Sequence, residues 1–278
     1  MRSVRALLGK FALVDTPVLI RGESGTGKTL LAQALHQASP RHDRPFRVVR
    51  CGTVPAQHTQ ARLSGCFEAA EGGTLLFKDI DELALEAQAC LMRVLYDTPL
   101  GQRPLPVHVR VLATCGADVV AAVVQGRLRK ELFYRLNVLE LVAPPLRDQR
   151  EDLALLAEHF LQRDCHELNR RAHTFSESAL TAMARYEWPG NVRELTARVR
   201  RGLVVATGRR IEARDLGLEA SLQASEALDT LQVYKDRAER EALQDVLYRH
   251  GHNLSQAAAV LAVSRPTFYR LLHKHGLR

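Results

Sequence analysis

The 278-residue sequence has no apolar run approaching membrane-spanning length, no C-x-x-C pair, no internal repeat and no long low-complexity tract. The first absence argues against a transmembrane helix, which needs about 20 consecutive apolar residues. The five cysteines (Cys51, Cys66, Cys90, Cys115, Cys165) are odd in number and scattered, so neither a disulfide framework nor a zinc site is expected. A reduced cytoplasmic setting fits them best. The opening MRSVRALLGKFALVDTPVLI does not make a signal peptide, because Lys10 and Asp15 interrupt its apolar residues. Val4, Leu7, Leu8 and Phe11 instead suit one face of a short amphipathic helix. What is present, 46% hydrophobic and 25% charged residues, is enough for one large α/β domain with smaller ones attached. The net charge of +8 points toward an anionic partner without identifying one.

Short apolar, β-branched runs recur at Val18–Ile20, Phe46–Val49, Thr74–Phe77, Val107–Thr114 and Val138–Leu141, separated by helical patterns such as Leu30–Gln37 and Glu86–Tyr96. That alternation predicts a parallel sheet covered on both faces. Strand signals stop near Arg150, and helical patterns continue to about Val205. The expected organisation is an α/β subdomain over 1–148, a helical subdomain over 149–215, a linker over 216–234 and a final helical domain over 235–278.

GESGTGKT follows the first strand and opens a helix, which is the context of a phosphate-binding P-loop. Gly22, Glu23, Ser24, Gly25, Thr26 and Gly27 wrap backbone N–H groups toward phosphate oxygens. Lys28 reaches the terminal phosphates and the Thr29 hydroxyl can bind magnesium. The expected ligand is a nucleoside polyphosphate.

NLSQAAAVLAVSRPTFYRLLHKHGLR reads as a helix-turn-helix. Asn253 is the expected cap of a small-residue helix ending at Leu261; Ala262 and Val263 turn; Ser264 caps a second helix. Phe268, Leu271 and Leu272 share a core-facing stripe, leaving Arg265, Tyr269, Arg270 and Lys274 outside it. From Arg249 onward there are five Arg/Lys and no Asp or Glu. Ser264, Arg265, Thr267, Tyr269, Arg270 and Lys274 are therefore the expected contacts to double-stranded DNA. The nearby histidines fit phosphate contact or solvation better than a metal site.

Together PVLIRGESGTGKT, FEAAEGGTLL, GRLRKELFYRLNVLELVAPPLRDQREDLALLAEHFL and YEWPGNVRELT resemble, in order, the AAA+ domain of bacterial enhancer-binding proteins, the sigma-54-dependent transcription activators. The C-terminal segment is similar to their Fis-type DNA-binding domain. The resemblance implies an AAA+ P-loop NTPase fold with a helical lid, ATP or ADP as the ligand, RNA polymerase as partner, and self-association as a dimer or hexameric ring with nucleotide between neighbours. In it Arg129 and Arg135 match arginine fingers acting in trans, and Arg193 matches a second sensor of nucleotide. Family members often carry a sensory domain before the position where this sequence starts.

The departures from that family carry as much information. Its long insertion ending in the GAFTGA loop, which grips the sigma factor, would lie between Cys51 and Phe67, where only GTVPAQHTQARLSGC stands. Aligned on GGTL, the magnesium-binding Asp falls on Lys78 and the water-polarising Glu on the shorter Asp79. The Asn that couples that Glu to the site is Arg50, and the first-sensor Asn is Cys115. A one-residue slip would let Asp79 replace the missing Asp, although strand periodicity opposes it and only a bulge would rescue it. Lys78 either snorkels into solvent or lends its charge to the phosphates in place of the metal. The expectation is a DNA-binding regulator that binds nucleotide and hydrolyses it poorly. The alternatives are a working ATPase acting through another surface and a structural scaffold with a vestigial P-loop.

Overall fold

The computed structural model describes residues 2–54, 59–96, 109–169, 173–219, 231–250, 254–275 and 277. They fall into two compact units, 1–219 and 220–278.

The first unit is built on a five-stranded sheet of order β2-β3-β4-β1-β5. Its strands are β1 (Val18–Arg21), β2 (Phe46–Arg50), β3 (Thr74–Lys78), β4 (Arg110–Cys115) and β5 (Leu139–Val142). All pairings are parallel. The fourth strand was expected from Val107; Val107 and His108 lie outside the described residues, and the strand runs on to Cys115. Successive side chains of a strand point to opposite faces, and the burial follows that rule. Leu19, Leu75, Phe77 and Ala113 enter one core, while Val18, Ile20, Leu76 and Leu112 enter the other. A parallel sheet buried on both sides needs such runs, because crossover helices cover each face.

On the first face lie α3 (Thr59–Glu68), α4 (Leu85–Tyr96), α5 (Val119–Val124) and α6 (Lys130–Leu136), which contribute residues such as Leu63, Leu91, Val119 and Leu132. On the second lie α1 (Arg2–Ala12) and α2 (Lys28–Gln37). Val4, Leu8 and Phe11 pack as expected, but Leu7 is 40% exposed and Ala12 takes the buried position instead. The end of α1 is held by the buried Arg110, which donates to the Phe11 carbonyl (2.6 Å) and the Ala12 carbonyl (3.2 Å). These bonds satisfy C-terminal carbonyls that no helix residue can reach.

The helical part of this unit comprises α7 (Arg150–Glu167), α8 (Glu177–Arg185) and α9 (Asn191–Val205), with a short parallel pair, β6 (Thr174–Phe175) and β7 (Arg210–Ile211), that the pattern of apolar residues did not reveal. Two-residue strands carry too little periodicity to be read. Leu216 and Leu218, expected in a linker, are buried. Gly202 of α9 makes room for this: a Cβ there would stand 2.8 Å from Ile211 and 2.9 Å from Leu216. Burial outweighs the loop-like composition of this segment.

The second unit contains α10 (Leu231–His250), α11 (Leu254–Val260) and α12 (Arg265–Lys274). Leu243, Val246, Ala257, Ala258, Phe268 and Leu272 form its core, with Leu271 against it. Fully burying each of the larger side chains contributes about 1.5–3 kcal/mol, which a unit this small requires. The turn passes through Ala262 at φ 52°. Ser264 then caps α12, its hydroxyl accepting from the Thr267 amide at 3.3 Å. Asn253 lies outside the described residues.

Candidate functional site: a P-loop cleft and an exposed basic helix

The P-loop leaves the end of β1 and runs into the N-terminus of α2, at the carboxyl ends of the strands, where ligands of open α/β folds bind. Gly25 and Gly27 have φ of 82° and 88°, conformations that side chains with a Cβ disfavour. At Gly25 there is also no space, since a Cβ would lie 2.3 Å from the Gly190 carbonyl. Lys28 Nζ donates to the Gly22 carbonyl (2.7 Å) and the Glu23 carbonyl (3.0 Å), and Thr26 Oγ1 donates to the Glu23 carbonyl (2.9 Å). The loop is thus pre-shaped around its own lysine. Burial pushes the Lys28 pKa down, opposed first by the Asp79 charge.

Lys28 and Thr29 line a cleft of about 290 Å³ with Ser24, Gly25 and Gly27. Lys78, Asp79 and Thr114 form the sheet side of its wall, and Phe160, Arg163, Arg193 and Thr196 the helical side. The strands keep a continuous register from Phe46 opposite Thr74 to Arg50 opposite Lys78, so no bulge interrupts β3. At Asp79 the chain leaves the strand with φ 57°. This turn ends the alternation of faces, and Lys78 and Asp79 both border the cleft. The Asp79 amide donates to Thr114 Oγ1 (2.9 Å), whose hydroxyl lies 3.4 Å from Asp79 Oδ1. Lys78 Nζ is 3.9 Å from Asp79 Oδ2.

Four altered positions were expected around the phosphates; two are in place. Arg50 is exposed at the end of β2 and Cys115 is buried at the end of β4, and neither lines the cleft. Burial pushes the Cys115 thiol up to about 12, so it remains a neutral packing group.

The loop fits a polyphosphate, but the donor set beside it does not fit a divalent ion. Thr29 supplies a hydroxyl, and the one lining carboxylate, Asp79, already faces an ammonium. A unit-charge repulsion is about 4 kcal/mol at 4 Å with an effective dielectric of 20, and doubles for a dication. Among the described residues, the one group of three metal-ligating side chains within reach of each other is Asp236, Glu239 and His275 in the second unit. There the Lys274 ammonium occupies both carboxylates.

Glu23 was expected to contribute its backbone to the loop; its side chain has a separate role. Its carboxylate turns from the cleft to Arg147, in a bidentate pair with one contact at 2.9 Å, and accepts from Asn191 Nδ2 at 3.0 Å. Asn191 is fully buried at φ 51°, also donates to the Ser24 carbonyl (3.0 Å), and accepts from the Leu146 amide (2.8 Å). Arg193 adds a guanidinium contact to Ser24 Oγ at 3.1 Å. WPGN therefore seats the start of α9 on the P-loop. Glu23 is held down at about 2 by the Arg147 hydrogen bonds and then by Asn191. Its stabilising contribution is complete above the ordinary value of 4.5 and fades as pH falls through about 2. Glu23→Gln is expected to lose about 1–2 kcal/mol near neutral pH, after allowance for solvent screening. Urea unfolding of both proteins at several pH values checks this; a gap that does not narrow on acidification removes the ion pair from the account.

Arg129 and Arg135 do not line this cleft; both are exposed. The buried Gln88, which sequence reasoning missed, holds the approach to Arg129: it donates to the Leu83 and Arg127 carbonyls and accepts from the Arg129 amide at 2.8 Å. Arg135 donates to the Leu95 carbonyl at 3.2 Å. Phe160 and Arg163 were also missed, since nothing in the spacing of α7 marks them. Arg163 lies over the Phe160 ring, 5.1 Å from its centroid, and is hydrogen-bonded to the buried Asp164.

On the second unit, Arg265, Tyr269 and Arg270 are exposed along α12, opposite Phe268 and Leu272. Thr267 and Ser264 share a hydroxyl contact of 2.8 Å at the helix start. Lys274 departs from the expected free phosphate contact. Its ammonium bonds Asp236 and Glu239 of α10, and His275 Nε2 is 3.1 Å from Glu239. These acids lie outside the acid-free tail, and only the fold brings them to it.

Residues 1–146 match the Sigma-54 interaction domain, 147–232 the AAA+ ATPase lid domain, and 236–275 the bacterial regulatory protein Fis family. The regulatory protein AtoC of Escherichia coli K12 is 34% identical over 296 residues, covering 96% of this chain and 64% of AtoC. The response regulator PilR of Pseudomonas aeruginosa is 35% identical over 98% of this chain and 67% of PilR. The chain thus spans about two thirds of these relatives. Among solved structures, NtrX from Brucella abortus in complex with ATP superposes with a TM-score of 0.72 at 27% identity, over 99% of this chain and 67% of NtrX.

Proposed function

The chain belongs to the Sigma-54 interaction domain family, and from that premise we propose that it is a transcription regulator that binds promoter DNA and ATP or ADP but hydrolyses nucleotide slowly or not at all. The observation that carries this reading is the Lys78–Asp79 pair at the cleft wall, 3.9 Å apart, beside an intact P-loop. Binding needs the loop and Lys28. Turnover also needs a carboxylate free to act on water or metal. The ATP complex of NtrX supports nucleotide as the ligand class.

Without the loop expected between Cys51 and Phe67, the protein has no arm with which to move the sigma factor. Regulation then proceeds through the housekeeping polymerase or by occupancy of the promoter. The exposed Arg129 and Arg135 fit an assembly in which they face a neighbour's nucleotide.

Pure protein is expected to bind ATP with turnover near background, and to form no open complex with sigma-54 polymerase as its sole activator. Open-complex formation would overturn the regulatory reading. A second reading, an active ATPase, draws on the presence of Asp79 in the cleft. Magnesium-dependent turnover that disappears in Asp79→Ala would establish it.

A further inference from the structure

Among the described residues, the side chains lining the cleft carry four cationic groups, Lys28, Lys78, Arg163 and Arg193, and one carboxylate, Asp79. Arg163 is compensated by the buried Asp164 at 2.8 Å. Asp79 is shared with Lys78. Among the described lining residues, what remains is a surplus of positive charge facing the P-loop, with the Asp81 carboxylate acting on Lys28 from outside the lining. A nucleotide that arrives with a divalent ion has already neutralised much of its phosphate charge, and it would bring that ion against Lys78. A metal-free nucleotide keeps that charge for the protein. The Lys78 ammonium is half-buried, on the strand end adjoining the cleft, and its stem has the reach of four methylenes.

We propose that this cleft selects the metal-free nucleoside di- or triphosphate, with the Lys78 ammonium standing where a divalent cation would otherwise bridge the phosphates. The proposal rests on the nucleotide-binding reading above. It adds which ionic form is bound and which residue chooses it. Lys78 swings from Asp79 to the phosphates, and Asp79 stays hydrogen-bonded with Thr114.

The test is calorimetric titration of the full chain with ADP and with ATP, once in EDTA and once in excess magnesium. Wild type is expected to bind at least as tightly in EDTA, and excess magnesium is expected to weaken apparent affinity by complexing the free nucleotide. Lys78→Ala and the bulk-preserving Lys78→Gln should each weaken the EDTA titration by about ten- to a hundredfold, the worth of one charge-assisted contact. Lys78→Asp should reverse the preference, so that magnesium tightens binding. Circular dichroism melts confirm that the variants are folded. Binding that requires magnesium in the wild type, or Lys78 variants with unchanged affinity in EDTA, overturns the proposal while leaving nucleotide binding intact. No binding in either medium, with Lys28→Ala indistinguishable from wild type, overturns both.

Discussion

Lys28→Ala is expected to lower nucleotide affinity about a hundredfold or more, the upper range for removing a charged hydrogen-bond donor from a partly desolvated site. In the resting loop Lys28 is held by the carbonyls of Gly22 and Glu23 at 2.7 and 3.0 Å, an arrangement that fixes the loop without spending the charge. Phosphate oxygens would receive the same ammonium, and the amides of the loop would receive the rest of the phosphate charge. Fluorescence titration with a labelled ADP measures the loss. Retained affinity in Lys28→Ala would show that nucleotide, if it binds, does so elsewhere. The stability of the variant should change little, because two backbone carbonyls at a solvent-open cleft can take water in place of Nζ. That separates a binding defect from unfolding.

Arg265→Ala and Lys274→Ala are expected to fail in different ways on DNA. Arg265 stands exposed just after the Ser264 cap, where a recognition helix approaches base edges. Its loss should reduce discrimination between specific and random duplexes by about 1–3 kcal/mol if it pairs bidentately with a guanine. A free phosphate-binding lysine would instead weaken all sequences alike and reduce the salt slope by about one unit. Lys274 does not start free, because Asp236 and Glu239 hold its ammonium. Its removal should therefore change the salt slope by much less than that and should lower the melting temperature of the C-terminal unit. Titrations on both duplexes at several salt concentrations, with melts alongside, make the comparison. Equal losses for the two variants on both duplexes would remove Arg265 from base readout. A full unit of slope lost in Lys274→Ala would show that DNA draws this lysine away from its acids.

The sheet was legible because each strand is a short β-branched or apolar run, and in a parallel sheet those runs need no partner to identify them. The P-loop was legible because glycine spacing is a local requirement of the backbone. The turn and cap of the helix-turn-helix were equally local, with Ala262 and Ser264 where the pattern placed them. Phe268, Leu271 and Leu272 followed from helical period alone.

Pairings between distant segments were not legible. Glu23 sits inside the P-loop motif, yet its carboxylate belongs to Arg147 and Asn191, more than a hundred residues away. Lys274 looked free in an acid-free tail until α10 supplied Asp236 and Glu239. Lys78 and Asp79 are neighbours whose strand alternation should have sent them to opposite faces; the left-handed turn at Asp79 puts both at the cleft. Arg50 and Cys115, grouped with them by motif, do not line it. The sequence by itself determined the five strands of the main sheet, their order along the chain, the loop that holds phosphate and the helix that offers base contacts, since all of these depend on residues within a turn or two of one another. Tertiary structure alone decided which charges distant in sequence meet, because a Coulomb or hydrogen-bond partner is chosen by distance in space, and distance in space is set by the packing of the cores.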